Sequence, residues 1–306
     1  MDFKKYGIAP VLFLHAIFPL IFSIGKVGMQ YAPFCFFIAL RALSCGLVSM
    51  GVYIVTSSNK KSIERKDLSL LLQAGFFGIF LTFIPEFWAL QYLPVGKVAF
   101  IFVLAPFFTA LFSRLHGLEK FTYKKLLGLA IGFAGFIPVL LSKTGEAKDT
   151  LSFFSFDLPE IALIFAVGCY AYSWIVIKRL TNQAEYSPWF VSGFSMIEGG
   201  LAALATSFFY DGWYTGVSPV TAWGPLLWYV FLLMSVAITC FVLYIYLLKQ
   251  YSPTLISFFG FTRSFFGAFY GWIFLNEVVH WTFYPSIFVV SIGLYLFYQE
   301  ELSLEK

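Results

Sequence analysis

Ten stretches of mostly apolar residues, each long enough to cross a bilayer, follow one another along this chain. They run over residues 7–28, 34–56, 68–91, 96–114, 123–142, 158–178, 187–209, 224–247, 253–275 and 281–298. A hydrocarbon core about 30 Å thick takes roughly 20 helical residues to span. Inside it every backbone polar group must find its partner within the protein, which leaves only helices and closed barrels. These stretches are continuous runs without strand-like alternation, so they predict an all-α membrane protein of ten transmembrane helices. Composition agrees: 60% of residues are hydrophobic and 12% charged, against about 25% charged in soluble domains. The first stretch lacks a small-residue cleavage site and reads as a span, not a removable signal.

The links between stretches are short except at residues 143–157, which carry Lys143, Glu146, Lys148, Asp149 and Asp157 and part the chain into two sets of five. With the N-terminus inside, fourteen of the 20 Lys and Arg fall at inner ends; only Lys97, Lys143 and Lys148 fall outside, and Lys26, Arg41 and Arg263 lie within spans. The positive-inside rule then predicts that both termini are cytoplasmic. The halves also echo each other. Gln91 to Glu119 is 28 residues, as is Lys249 to Glu277, and Gly135 and Gly293 each follow sixteen residues later. Five spans per half is an odd number, so the second copy enters from the opposite side. The expectation is two inverted five-helix repeats, 7–142 and 158–298, joined by an extracytoplasmic linker over 143–157.

These features resemble the drug/metabolite transporter superfamily, in particular its ten-helix EamA-type members. The resemblance rests on Pro33 and Arg41 in the second span, the turns at Ala89–Val95 and Leu247–Thr254, Pro106 in the fourth span, and Glu119 followed by Gly128, Gly132 and Gly135. It covers nearly the whole chain. Where the ninth helix of the family often carries proline, this chain has Arg263-Ser264. The resemblance implies secondary transport of a small metabolite through a central cavity built by both halves, in a protein that is not an enzyme. Amino acids are the broad substrate expectation. S-adenosylmethionine is the sharper one, since transporters of this superfamily carry it in some intracellular bacteria.

Charge inside the spans supplies the candidate site. Glu86, Glu198, Arg41 and Arg263 are flanked on both sides by apolar runs. A charge at the bilayer centre costs roughly 2.5–3.5 kcal/mol on insertion scales, so such residues face a bundle interior or a wet cavity and mark a path. Helical periodicity aligns Phe259, Arg263 and Phe266 on one face of the ninth span, and places Tyr170 one turn from Trp174 in the sixth. An arginine fork grips a carboxylate, a glutamate receives an ammonium, and aromatic faces hold cationic or planar groups. The expected substrate-binding set is therefore Arg263, Glu198, Glu86, Arg41, Tyr170, Trp174, Phe259 and Phe266, with Arg263 on a substrate carboxylate and Glu198 or Glu86 on its amino group. His15 is a candidate proton relay. The competing reading makes Arg41–Glu86 and Arg263–Glu198 permanent structural ion pairs. Glu119 and Glu277, duplicated at helix junctions, read as structural.

Other classes are disfavoured. The net charge of +4 is too small to suggest nucleic acid. The chain has no GxGxxG, Walker or HExxH motif, so neither a cofactor nor a metal is expected, and Cys35, Cys45, Cys169 and Cys240 lack metal-type spacing. The expected partners are the lipid bilayer and a small-molecule substrate, with oligomeric state left open. The alternative to a transporter is a non-transporting membrane enzyme or scaffold. Its catalytic groups would gather at one depth, whereas the charges here spread over four helices in both halves.

Overall fold

The computed structural model describes residues 8–57, 61–93, 98, 101–119, 122–142, 157–213, 220–263, 265–266, 269–270 and 283–304. Among these residues there is no strand. Residues 143–156 of the expected linker, and Lys97, Gly267 and Glu277, lie outside the described residues. The protein is an all-α membrane protein built as inverted five-helix repeats. Its helices are α1 (Ala9–Gly28), α2 (Phe34–Thr56), α3 (Arg65–Tyr92), α4 (Phe102–Leu115), α5 (Tyr123–Ser142), α6 (Leu158–Asn182), α7 (Pro188–Tyr210), α8 (Trp223–Leu248), α9 (opening at Pro253–Phe259) and α10 (Phe283–Leu304).

Packing follows a pseudo-two-fold that exchanges α1 with α6, α2 with α7 and so on. The two most extensive contacts, α2 on α7 and α5 on α10, each pair a helix with its own counterpart. Others come in matched couples, α1 lying against α8 and α9 as α6 lies against α3 and α4, and α4 meets its own counterpart α9. Lipid tails are as apolar as leucine side chains, so these contacts depend on close approach. Gly293 shows how close: a Cβ there would meet the Gly132 amide nitrogen at 2.6 Å and the Gly128 carbonyl at 2.7 Å. The pair α5–α10 touches α9 through Phe258 and Phe261 and sits at the edge of the bundle.

Polar contacts near the helix termini define two ends. At one, Lys61 donates to the Ala184 carbonyl at 2.6 Å, Lys178 to that of Tyr251 at 2.8 Å, and Lys125 pairs with Glu301. At the other, Thr221 donates its amide to the Tyr31 carbonyl at 3.0 Å, and Asp211 accepts the Phe36 amide at 3.0 Å. Glu119 ties the halves together at the cationic end. Its Oε1 accepts the Thr254 amide at 3.2 Å and the Thr254 hydroxyl at 3.1 Å, while Ser252 accepts the Leu255 amide at 3.1 Å. The first turn of α9 is thus capped by a side chain from the opposite repeat.

Three spans expected to be continuous are interrupted. In α1 the residues Phe18 and Pro19 separate Ala9–Ile17 from Leu20–Gly28, because Pro19 has no amide to donate and the Ile21 and Phe22 amides bond three residues back, to Phe18 and Pro19. In α4 a 3₁₀ turn at Phe102–Leu104 precedes Ala105. In α9 the Gly260 and Phe261 amides reach Ser257 and Phe258, again three residues back. Residues 102–104 and 260–262 are equivalent in the offset that relates Glu119 to Glu277, so the irregularity recurs in both repeats. The α3 helix instead widens into a π turn at Phe76–Phe80, where Thr82 donates its hydroxyl to the Phe77 carbonyl at 2.7 Å. Pro85 lies inside the same helix, beyond this wider turn.

Candidate functional site

The breaks in α1, α4 and α9 gather around Arg263. The short turn in α9 leaves the Ile256 carbonyl without its helical partner, and His15 Nε2 sits 2.7 Å from it. His15 Nδ1 then accepts from Arg263 Nε at 2.8 Å. One imidazole on α1 therefore bridges the interruption in α9, holding the residues before and after it. Arg263 Nη2 donates to the Tyr170 hydroxyl of α6 at 2.8 Å, and its guanidinium carbon lies 3.8 Å above the Phe18 ring. Further along α9, Tyr270 donates to the Ala16 carbonyl at 2.8 Å.

Aromatic rings surround this junction. Phe102 meets Tyr170 edge to face at 5.8 Å, and Phe22 lies 6.1 Å from Phe102. Tyr170 meets Trp174 at 5.7 Å, while Trp174 stacks on Tyr244 at 3.7 Å and 11°. One face of Trp174 is thus spent on packing, and its indole Nε1 has no partner among the described residues. Phe259 is buried before the α9 break, and Phe266 is partly buried after Arg263.

Arg41 and Glu86 form a second centre. Arg41 is 1% exposed and lies 4.0 Å above the Phe83 ring and 5.8 Å from that of Phe87, both on α3. Glu86, also buried, lies between Phe83 and Phe87 along α3. The Arg41–Glu86 ion pair of the competing reading does not form: no hydrogen bond or salt bridge joins them, although both are among the described residues. Nor does Arg263 pair with Glu198. Glu198 lines a groove of about 560 Å³ with Met50, Phe194, Ile197, Leu201 and Ala202. Its carboxylate lies against Gly75 of α3, and Oε2 is buried without a partner. This groove shares no lining residue with the Arg263 junction. A mid-span position fixes the depth of Glu198 but not its direction around the helix axis.

The structure thus brings together Arg263, His15, Tyr170 and Trp174, keeps Arg41 on the α3 face formed by Phe83 and Phe87, and leaves Glu198 apart. Both ring nitrogens of His15 are engaged, so proton transfer through it requires one of those bonds to open. Sequence reasoning missed Phe18, Phe102 and Tyr244. Phe18 was within reach, one turn from His15 and next to a mid-span proline. Phe102 was findable from its equivalence to Gly260, whereas Tyr244 sits in a helix apolar on every side. Among the described residues no group of His, Cys, Asp and Glu gathers as metal ligands. The arrangement offers fixed opposite charges between aromatic walls at a junction of broken helices, which suits binding and release more than covalent chemistry.

Comparison with known proteins agrees with this class. The EamA-like transporter family matches the chain twice, over residues 5–141 and 158–299, and the chain belongs to that family. It is a membrane transporter, which decides against the enzyme or scaffold alternative. Among individual relatives, a protein of Chlamydia muridarum named S-adenosylmethionine/S-adenosylhomocysteine transporter is 28% identical over 95% of this chain and 91% of its own. A relative of the same name from Chlamydia trachomatis serovar L2 is also 28% identical, over 95% of this chain and 89% of its own. One solved crystal structure aligns with a TM-score of 0.68 at 16% identity, covering 94% of this chain and 97% of that one, and thus shares the fold.

Proposed function

We propose that this protein carries a zwitterionic S-adenosyl metabolite across a bacterial inner membrane by alternating access. In this reading 7–142 and 158–298 are the two repeats, 143–157 is an extracytoplasmic linker, and both termini are cytoplasmic. The observation that carries the reading is the junction of broken helices α1, α4 and α9 with α6. Arg263, His15 and Tyr170 meet there, and elements of both halves contribute. A site shared between repeats is exposed to one side or the other as they rock.

The candidate roles follow from chemistry. One of the two intramembrane arginines, Arg41 or Arg263, and Glu86 supply opposite charges for a carboxylate and an ammonium. Tyr170, Phe259 and Phe266 supply aromatic surface for a sulfonium and a planar base, with Trp174 supporting Tyr170 from behind. Glu198 acts from outside this junction, and His15 holds α9 together. The names of the chlamydial relatives support the S-adenosyl class. A thermal-shift measurement tests it, because a ligand that binds only the folded state raises the melting point. S-adenosylmethionine and S-adenosylhomocysteine should each stabilise the purified protein more than methionine or adenosine do. Equal effects from all four would remove the S-adenosyl assignment.

A further inference from the structure

Arg41 and Arg263 are both intramembrane arginines, yet they spend their donors differently. Arg263 commits Nε and Nη2 to His15 and Tyr170. Arg41 is almost wholly buried, and none of its three guanidinium nitrogens has a hydrogen-bond partner among the described residues. A guanidinium stays charged and presents five in-plane donors. The Phe83 ring meets its face at 4.0 Å but accepts nothing from its edge. A buried charge left in this state is an interaction waiting for an anion.

Glu86 supplies the complementary half. Arg41 is the eighth residue of α2, and Glu86 lies six residues before the end of α3. At 1.5 Å per residue both sit about 10 Å from the same end of the bundle. Arg41 lies over Phe83 and Phe87, which flank Glu86 along α3, and still the two charges do not close into an ion pair. Opposite charges at one depth, held apart, match the carboxylate and ammonium of an α-amino acid.

We propose that Arg41 holds the substrate's carboxylate and Glu86 its ammonium, so that α2 and α3 carry the amino-acid headgroup site. Arg263 is then a positioning residue that fixes α1, α6 and α9 around the remainder of the substrate. Phe83 and Phe87 close over Arg41 in this conformation, and the headgroup reaches it when α2 and α3 part. This deepens the proposed function and rests on it for the S-adenosyl part of the ligand only.

Calorimetric titration of the purified protein with two ligand pairs tests the assignment. One pair is S-adenosylmethionine and its decarboxylated counterpart; the other is methionine and methionine amide. The wild type should favour the carboxylate-bearing member by roughly 10- to 150-fold, the worth of a charge-assisted hydrogen bond. Arg41→Gln should erase that preference while leaving the carboxylate-free ligands unchanged, and Arg41→Lys should restore part of it. Arg263→Gln should weaken both members alike. If only the methionine pair binds and behaves this way, the S-adenosyl reading falls and the headgroup site stands. The proposal is overturned if the wild type shows no preference, if the preference survives Arg41→Gln, or if Arg263→Gln is the variant that erases it. It is also overturned if both Arg41 variants lose the carboxylate-free ligands.

Discussion

Arg263 Nε donates to His15 Nδ1 at 2.8 Å, and the other ring nitrogen of His15 lies 2.7 Å from the Ile256 carbonyl. Nδ1 is therefore an acceptor and Nε2 carries the proton, which gives a neutral imidazole in one tautomer. The carbonyl it binds is available because the Gly260 amide turns to Ser257 instead. Thus α1 stabilises the break in α9 with a single side chain. Replacing His15 with Ala strands a buried guanidinium nitrogen and a carbonyl together. The expected loss is about 1.5–3 kcal/mol for a hydrogen bond to a charged group, read as a lower melting temperature in detergent. An unchanged melting temperature would mean that the bridge contributes nothing to the fold.

Arg263→Lys keeps the charge and loses the fork. One ammonium on a flexible stem cannot reproduce the planar geometry that serves His15 and Tyr170 at once. We expect substrate uptake to fall at least about tenfold, the equivalent of ~1.4 kcal/mol, with the protein still folded by gel filtration. Tyr170→Phe, which removes only the hydroxyl acceptor, should lower uptake by less. Wild-type uptake in Arg263→Lys would contradict the positioning role.

Glu119 caps α9 across the repeat boundary through Thr254. Glu119→Ala removes both bonds and should cost about 0.5–2 kcal/mol, as for other lost caps. Thr254→Val keeps the amide bond and should cost less. In a double-mutant cycle the two losses should fall short of additivity, since they share one interaction. Strict additivity would show that the contact carries no energy.

Gly293→Ala introduces a methyl that would sit 2.6 Å from the Gly132 nitrogen and 2.7 Å from the Gly128 carbonyl. Both neighbours are backbone, so the helices themselves must separate. Overpacking of this kind costs about 1–3 kcal/mol. Gly51→Ala, at a glycine with open space around it, is the control that should leave the melting temperature unchanged.

The spans were legible in the sequence because a bilayer demands long apolar runs, and the ends of α2, for example, match the expectation at Phe34 and Thr56. The intramembrane charges were legible for the same reason. The interruptions were not. Pro19 was visible, but the α4 and α9 breaks arise where local amides bond three residues back, at Phe102 and Gly260, which hydropathy does not register. The direction of Glu198 was equally hidden. In a helix apolar on nearly every side, lipid-facing and core-facing positions carry the same residue types, so periodicity offers no reference for rotation. Arg263 and Arg41 looked alike as isolated cations. Only their partners separate a tied guanidinium from an unspent one.

Uptake of labelled S-adenosylmethionine into proteoliposomes that contain this protein alone is the most direct test of the account. Transport around a shared site predicts saturable uptake, accelerated by unlabelled S-adenosylmethionine or S-adenosylhomocysteine loaded inside, and reduced at least about tenfold by Arg41→Gln, in line with a lost charge-assisted hydrogen bond. Uptake no greater than in protein-free liposomes, with the wild type folded and correctly inserted, would contradict it.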